Sequence, residues 1–295
     1  MDDLNSAALY GRGSGLDTDT GSADPLAYVV KPKRIVDPER RANQLSGKEW
    51  LKQSISVWHD IAKTKEERAM KHPASFPEMM VERLLKSFLN KSDKLVLDPF
   101  LGTASTLAAA AKLEHRGVGF ELYPDFIEKA ATRLAPFGNQ CEIFADSALN
   151  ISEYLPQNSV DMVVTSPPYW NILNRRRTAD AKEIRNYGGN NIDLGNIDDY
   201  DAFLDALTDV MRGVHHTLKP KGYCVVNVMD IRVKDKLYTF HSDLYSRLAP
   251  VGLKLDDIII WDRRSEYNNL KPLGYPYKFR INRVHEYLLI FQKGA

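Results

Sequence analysis

The chain has only two cysteines in 295 residues, Cys141 and Cys224, and both fall inside apolar runs. That excludes a disulfide framework and a cysteine-rich zinc site, and it predicts a reduced, cytoplasmic protein. No run of eighteen apolar residues occurs, so no segment reads as a transmembrane helix and no membrane partner is expected. The opening MDDLNSAALYGRGSG carries acids where a secretory leader needs bases, and no apolar core follows. Seven histidines show no ligand spacing, so no metal is expected, and there are no internal repeats. Charge of one sign is also lacking, with 40 bases against 39 acids. The balance is uneven along the chain. Residues 1–30 hold five acids and one base, leaving 39 bases against 34 acids, or +5, for the rest. A nucleic-acid binder with so mild an excess must gather it on one face.

What is present is an alternation. Residues 1–24 are rich in Gly, Ser, Asp and Thr without hydrophobic period and read as a mobile polar tail. Residues 25–70 form a mixed N-terminal extension, with a short strand in PLAYVV and helical spacing from Trp50 to Ile61. From 71 to 295 strand-like runs alternate with helical patterns, as expected of one catalytic domain. The expected strands are 94–98, 116–121, 141–145, 160–164 and 222–229, with helices at 77–89, 105–113, 124–135, 199–217 and 240–250. The final apolar runs, 253–261 and 284–291, have no helix between them and suit an antiparallel pair at one edge. The fold class is therefore α/β, Rossmann-like: a mostly parallel sheet with an antiparallel edge pair and helices on both faces. Ligands in such sheets sit beyond the carboxyl ends of the strands, which singles out the loops 98–105, 121–125, 146–150, 165–198 and 229–239.

Two of those loops carry chemistry. Asp98-Pro99-Phe100-Leu101-Gly102-Thr103-Ala104-Ser105-Thr106 places a glycine and small residues between a strand and a helix. A ligand can approach such a backbone closely, near the positive end of the helix. Glu121 ends the next strand about twenty residues later, where a carboxylate can accept both hydroxyls of a ribose. Strand 160–164 runs into Thr165-Ser166-Pro167-Pro168-Tyr169-Trp170. Successive prolines remove two donors and stiffen the turn. The Ser166 hydroxyl and the Pro167 carbonyl can then accept from an amino group while Tyr169 supplies a stacking face. Acceptors beside an aromatic plate suit a planar base with an exocyclic amine, taken out of its stack.

With these motifs the chain resembles the DNA amino-methyltransferases, which methylate cytosine N4 or adenine N6. The resemblance covers about residues 70 to 293 and rests on HPASFPEMMVERLL, LDPFLGTAST, GVGFEL, the Asp146 loop, TSPPYW, LKPKGYCVVNV and RVHEYLLIFQK. It implies S-adenosyl-L-methionine as methyl donor and S-adenosyl-L-homocysteine as product. It assigns His72, Pro73 and Phe76 to the floor of the methionine pocket and puts Asp98, Phe100, Gly102 and Thr103 around the methionine and adenosyl parts. Glu121 would bind the ribose, Leu122 would pack on the adenine, and Asp146 would accept from its amine. Ser166, Pro167, Pro168 and Tyr169 would form the catalytic target-base pocket. The Ser-Pro-Pro-Tyr form followed by Trp170 looks most like the N4-cytosine enzymes; adenine enzymes more often carry Asp or Asn at the first position. DNA is the implied partner, with a cognate restriction endonuclease or a second copy of the chain as further ones. RNA or protein methylation and a silent methyltransferase-like binding subunit are the alternatives. Relatives acting on RNA or on protein glutamine usually show Asn-Pro-Pro.

The chain departs from the family pattern in two places. Ala104 stands where a second glycine is usual, with Ser105 where Thr is commoner. A methyl group there is tolerable at negative φ, which predicts a shifted contact. The cofactor half also precedes the Ser-Pro-Pro-Tyr half, a circularly permuted order that leaves no large insert for target recognition. Recognition then falls to 171–198, with Arg175, Arg176 and Arg177, and to 262–283, where Arg263, Arg264 and Lys278 interleave with aromatic residues. His215 and His216 suit a helix end, and His285 and Glu286 read as structural residues of an edge strand. No cysteine follows the prolines, so attack on a ring carbon is unsupported. Alignment of a weakly nucleophilic amine against a sulfonium methyl is the expected catalytic device.

Overall fold

In a computed structural model of the protein, the described residues are 41–70, 76–89, 94–172, 192–266, 270 and 272–295. The expectations for 1–40, His72, Pro73 and Arg175–Arg177 lie outside them. The first half holds α1 (Gly47–Gln53), β1 (Val57–Trp58), α2 (Lys65–Ala69), α3 (Glu78–Phe88), β2 (Leu95–Asp98), α4 (Ser105–Lys112), β3 (Arg116–Phe120), α5 (Pro124–Leu134) and β4 (Cys141–Phe144). Then come α6 (Ile151–Tyr154), β5 (Val160–Thr165), α7 (Tyr200–Thr217), β6 (Leu218–Val228), β7 (Ile231–Val233), β8 (Lys236–Tyr238), α8 (Phe240–Leu248), β9 (Leu253–Asp262) and β10 (His285–Lys293).

Eight strands form one sheet in the order β1-β9-β10-β6-β5-β2-β3-β4. From β6 to β4 every pair is parallel, while β10 runs antiparallel to both β6 and β9. The expected antiparallel pair is present near one edge, and the two-residue β1 lies parallel outside it against Ile260 and Trp261. The chain proceeds outward from β2 to β3 and β4, then returns to β5 on the other side of β2. A crevice opens where the order reverses, at the carboxyl ends of β2 and β5.

Period-two side chains explain why helices cover both faces. Val96, Met162, Val164, Val225, Leu288 and Ile290 pack with Met80, Leu84 and Leu85 of α3 and Ala109 and Ala110 of α4. Their neighbours Leu97, Val163, Cys224, Val226, Leu289 and Phe291 face the other way, onto Phe203, Leu207, Val210 and Met211 of α7. A one-residue slip in any central strand would exchange the two sets.

The structure corrects some local expectations. The helix expected over Trp50–Ile61 starts earlier and stops at Gln53, because Ser46 and Glu49 form a capping box and Ser54 ends it. The residues beyond it turn to extended backbone, and Trp58 and Ile61 enter the core beside α3. Residues 229–239 were read only as a loop, but they contain the β7–β8 hairpin turning at Lys234 and Asp235.

Candidate active site

The strand ends of the crevice border about 590 Å³ of space open to solvent, lined by Phe100, Gly102, Glu121, Leu122, Asp146 and Ser166, with Pro168 also on the wall. Phe76 does not line it; it is buried in the core with Met80 and Trp58.

Asp98 is 1% exposed and lies behind the loop. One of its oxygens accepts from Thr165 Oγ1 at 2.7 Å and from the Phe100 backbone at 3.1 Å, and the other from Thr106 Oγ1 at 2.6 Å. It thereby ties β2, β5, the start of α4 and the intervening loop together. Burial raises its pKa to about 6 against the pull of those hydrogen bonds. The loop also closes on β3. A Cβ on Gly119 would fall 2.6 Å from Leu101 Cδ1, so only glycine lets Leu101 lie against the strand.

Two loop residues have positive φ, Gly102 at 53° and Ala104 at 62°. The condition under which a methyl at Ala104 is tolerated, a negative φ, is not met: the N-cap of α4 is left-handed there, and the methyl costs about 1 kcal/mol relative to glycine. A buried ion cluster holds this strained turn from behind. Arg133 donates to the Thr103 carbonyl at 3.0 Å and to Ser105 Oγ at 3.1 Å while pairing with Glu67 and Glu78. Thr103 is thus 2% exposed and contributes its backbone to the loop rather than its side chain to the cleft.

Glu121 faces the loop from the end of β3. Its carboxylate accepts from the backbone of Gly102, Leu122 and Tyr123, each at 2.9 Å. Burial outweighs these bonds and, with Asp193 nearby, raises its pKa to about 7. A carboxylate accepts about four hydrogen bonds. The three already present leave a place for a hydroxyl donor, so the residue type and position fit a ribose. Asp146 accepts from Asn150, from Tyr154 Oη at 2.8 Å and from the Ser147 backbone, which hold its carboxyl below the usual range. Leu122 lines the same cleft as these two carboxylates. Together they fit an adenosyl group, with acceptors for a hydroxyl and an amine and an apolar side chain for the ring.

The opposite wall is built from distant strands. Ser166 Oγ lies 3.3 Å from Tyr169 Oη and 3.3 Å from the Asn227 carbonyl on β6. Tyr169 donates to Glu286 Oε2 on β10 at 2.8 Å, and Asn227 Nδ2 reaches the same oxygen at 2.5 Å and Tyr169 Oη at 3.0 Å. Arg263 closes the set by pairing with Glu286 Oε1 and with Glu266. Trp170, just after the tyrosine, is held at φ 54°, an unfavourable conformation for a bulky residue. Contacts with Tyr200 and Tyr238, at ring separations of 5.2 and 5.0 Å, lock it there.

The residues expected to touch nucleic acid divide. Arg263 is drawn inward, with its guanidinium 4.7 Å over the Trp261 ring and bound to two glutamates. Arg264 and Lys278 are exposed and pair with Asp262 and Asp235. Near Lys278, Tyr275, Tyr277 and Phe279 are each more than three-quarters exposed. Sequence reasoning missed Asn227, and it read Glu286 as structural. The available signal was an acid on the inward side of a strand whose next two inward residues, Leu288 and Ile290, are fully buried.

A family profile described as DNA methylase matches residues 23–132 and 160–295. Among curated proteins, the chain is 31% identical over 122 residues to the type II methyltransferase M.ScaI of Streptomyces caespitosus, covering 38% of this chain and 40% of that one. It is 29% identical over 177 residues to M.SmaI of Serratia marcescens, covering 52% and 56%. The chain thus spans about half the length, or less, of these relatives. Among solved structures, TrmN from Thermus thermophilus superposes over 77% of this chain and 52% of its own, with a TM-score of 0.50 at 15% identity, a likeness of fold. The profile covers most of the chain, including the Asp98 and Ser166 loops and Glu121 but not Asp146, and the chain belongs to the DNA methylase family of N6/N4 amino-methyltransferases.

Proposed function

We propose that the protein transfers a methyl group from S-adenosyl-L-methionine to the exocyclic N4 amine of a cytosine flipped out of DNA. Adenine N6 is the alternative, because the pocket chemistry is shared. The observation that carries the proposal is that Ser166 and Pro168 of the Ser-Pro-Pro-Tyr loop line the same cleft as Glu121, Leu122 and Asp146, with Tyr169 bonded behind Ser166. When bound, the cofactor supplies an electrophilic methyl on a positively charged sulfur. Glu121 would accept from a ribose hydroxyl, Leu122 would cover the adenine face, and Asp146 would accept from the adenine amine. Asp98 supports the site from behind by fixing the loop between β2 and α4.

The Ser166 hydroxyl and the Pro167 carbonyl would accept the two amine hydrogens, drawing the nitrogen lone pair out of conjugation and toward the methyl. Tyr169 would stack on the base. The rate gain asked of these residues is alignment. Arg175–Arg177, Arg264 and Lys278 are proposed to contact phosphates, and the exposed aromatics beside Lys278 to stack on bases. The names of the curated relatives place those proteins in type II systems, which makes a cognate endonuclease or a second copy of the chain the proposed further partner.

The test is incubation of the protein with S-adenosylmethionine labelled in its methyl group, offering unmethylated genomic DNA, total RNA and protein extract separately. Label entering DNA alone is the expected result. Label entering RNA or protein, or none entering DNA, would overturn the proposal.

A further inference from the structure

Glu286 is 3% exposed and charged, deep in the sheet, and does not itself line the cleft. Its two oxygens face different neighbours. Oε1 is paired with Arg263, whose other contacts are Glu266 and the Trp261 ring. Oε2 takes the Tyr169 hydroxyl at 2.8 Å and Asn227 Nδ2 at 2.5 Å. A carboxylate can only accept, so Tyr169 must spend its single proton here. Burial and the neighbouring Glu286 charge hold that hydroxyl protonated far above the ordinary range.

The consequence runs on to Ser166. With its proton spent, Tyr169 Oη can only accept, and both of Ser166's close neighbours, Tyr169 Oη and the Asn227 carbonyl at 3.3 Å, are then acceptors. Ser166's one proton is drawn inward to them. Asn227 Nδ2, 3.5 Å away, takes one of the Ser166 lone pairs, and the other remains for the cleft, which Ser166 lines.

We propose that Glu286, fixed by Arg263, is a positioning residue that sets the direction of the Glu286–Tyr169–Ser166 hydrogen-bond chain and so makes Ser166 an obligate acceptor toward the substrate. The inference rests on the methyl-transfer reading above and deepens it. An obligate acceptor takes an amine N–H and repels a carbonyl, so the chain selects cytosine or adenine at the exocyclic position over thymine or guanine O6. Asn227 contributes the second donor to Glu286, and its own Oδ1 is buried with no hydrogen-bond partner among the described residues.

The isosteric variant Glu286→Gln tests this. Arg263 still demands an oxygen, which turns the amide NH2 toward Tyr169. Tyr169 must then accept and donate onward, so the chain reverses and Ser166 loses its enforced acceptor role. Wild type, Glu286→Gln, Tyr169→Phe and the double variant are compared for kcat on unmethylated DNA, S-adenosylmethionine affinity and thermal unfolding. The expected result for Glu286→Gln is a kcat lowered about 10- to 100-fold, the scale of one charge-assisted hydrogen bond, with cofactor affinity within about twofold. In the Tyr169→Phe background the same change should cost nothing further, because its route to Ser166 is already cut. Unchanged kcat in Glu286→Gln, or full additivity in the double variant, would overturn the inference. If Glu286→Gln does not fold, Tyr169→Phe alone must lower kcat at least about 10-fold at unchanged cofactor affinity, and failure to do so has the same force. A wild type that moves no methyl to DNA would instead overturn the reading on which the inference rests.

Discussion

The two walls of the cleft are held by opposite means. On the Glu121 side the bonds are short-range in sequence. Glu121 reaches one, two and nineteen residues away, and Asp146 reaches one, four and eight. On the Ser166 side, besides the short-range Ser166–Tyr169 contact and the Arg263 pairs, four bonds join residues 58 to 117 positions apart, across three strands. The first wall is assembled as its loops fold; the second exists only once β5, β6 and β10 are in register. Under the proposed function, binding is entrusted to local loops, and the polarity of the reacting group to the tertiary structure.

Substitutions can break that division, and the largest effect is expected in its support. Arg133→Met leaves Glu67 and Glu78, both 10% exposed or less, facing each other without their shared cation. Urea unfolding should show a loss of about 3–5 kcal/mol, the cost of stranding a buried charge. A loss under 1 kcal/mol would mean that Lys112, which also pairs with Glu78, suffices. Tyr169→Ala comes next. It should weaken capture of the flipped base by about 1–3 kcal/mol on the scale of base–aromatic stacking and leave cofactor affinity unchanged. Equal loss of both would erase the distinction between the walls.

Glu121→Gln sharpens the other side. The folded pKa of Glu121 is raised from 4.5 to about 7, so the folded state holds this proton more readily than the unfolded chain does. Its contribution to stability is therefore fully present below pH 4.5 and lost as the pH climbs toward 7. Without ligand, wild type should lose more thermal stability than Glu121→Gln between pH 5 and pH 8. Cofactor affinity should rise through the same window in wild type alone, because the ionised carboxylate is the better acceptor for ribose hydroxyls. Titration calorimetry at the two pH values reads this, and parallel profiles for the two proteins would remove Glu121 from the ribose position. The smallest effect is a gain. Ala104→Gly should stabilise the protein by about 1 kcal/mol by relieving the left-handed turn, and a loss would mean that the methyl packs usefully.

The same division explains what could be read in advance. The strand and helix succession from 94 to 165 follows hydrophobic period, and the Asp98 and Ser166 loops announce themselves through spacing alone. Asp98 ends β2 and Thr103 lies in the loop before α4, but their side chains turn to the protein and not to the cleft, because a loop sequence does not reveal which atoms its own backbone claims. Phe76, assigned by resemblance to the pocket floor, instead packs in the core beside Met80 and Trp58. Arg263 looked like one more base in a cationic segment. Only the pairing of β9 with β10, which sets Glu286 opposite Trp261, shows why it turns inward. Ala104 could not be resolved from sequence, since alanine is the best helix former and gives no hint of a left-handed cap.

The central claim is that this cleft methylates an exocyclic amine of DNA, and the most direct test is the identity of the product. DNA treated with the protein and S-adenosylmethionine is digested to nucleosides, and the methylated species is identified by mass and fragmentation. The account predicts N4-methylcytosine. N6-methyladenine would keep the mechanism and change the base, whereas 5-methylcytosine, an attack on carbon, would contradict the account outright.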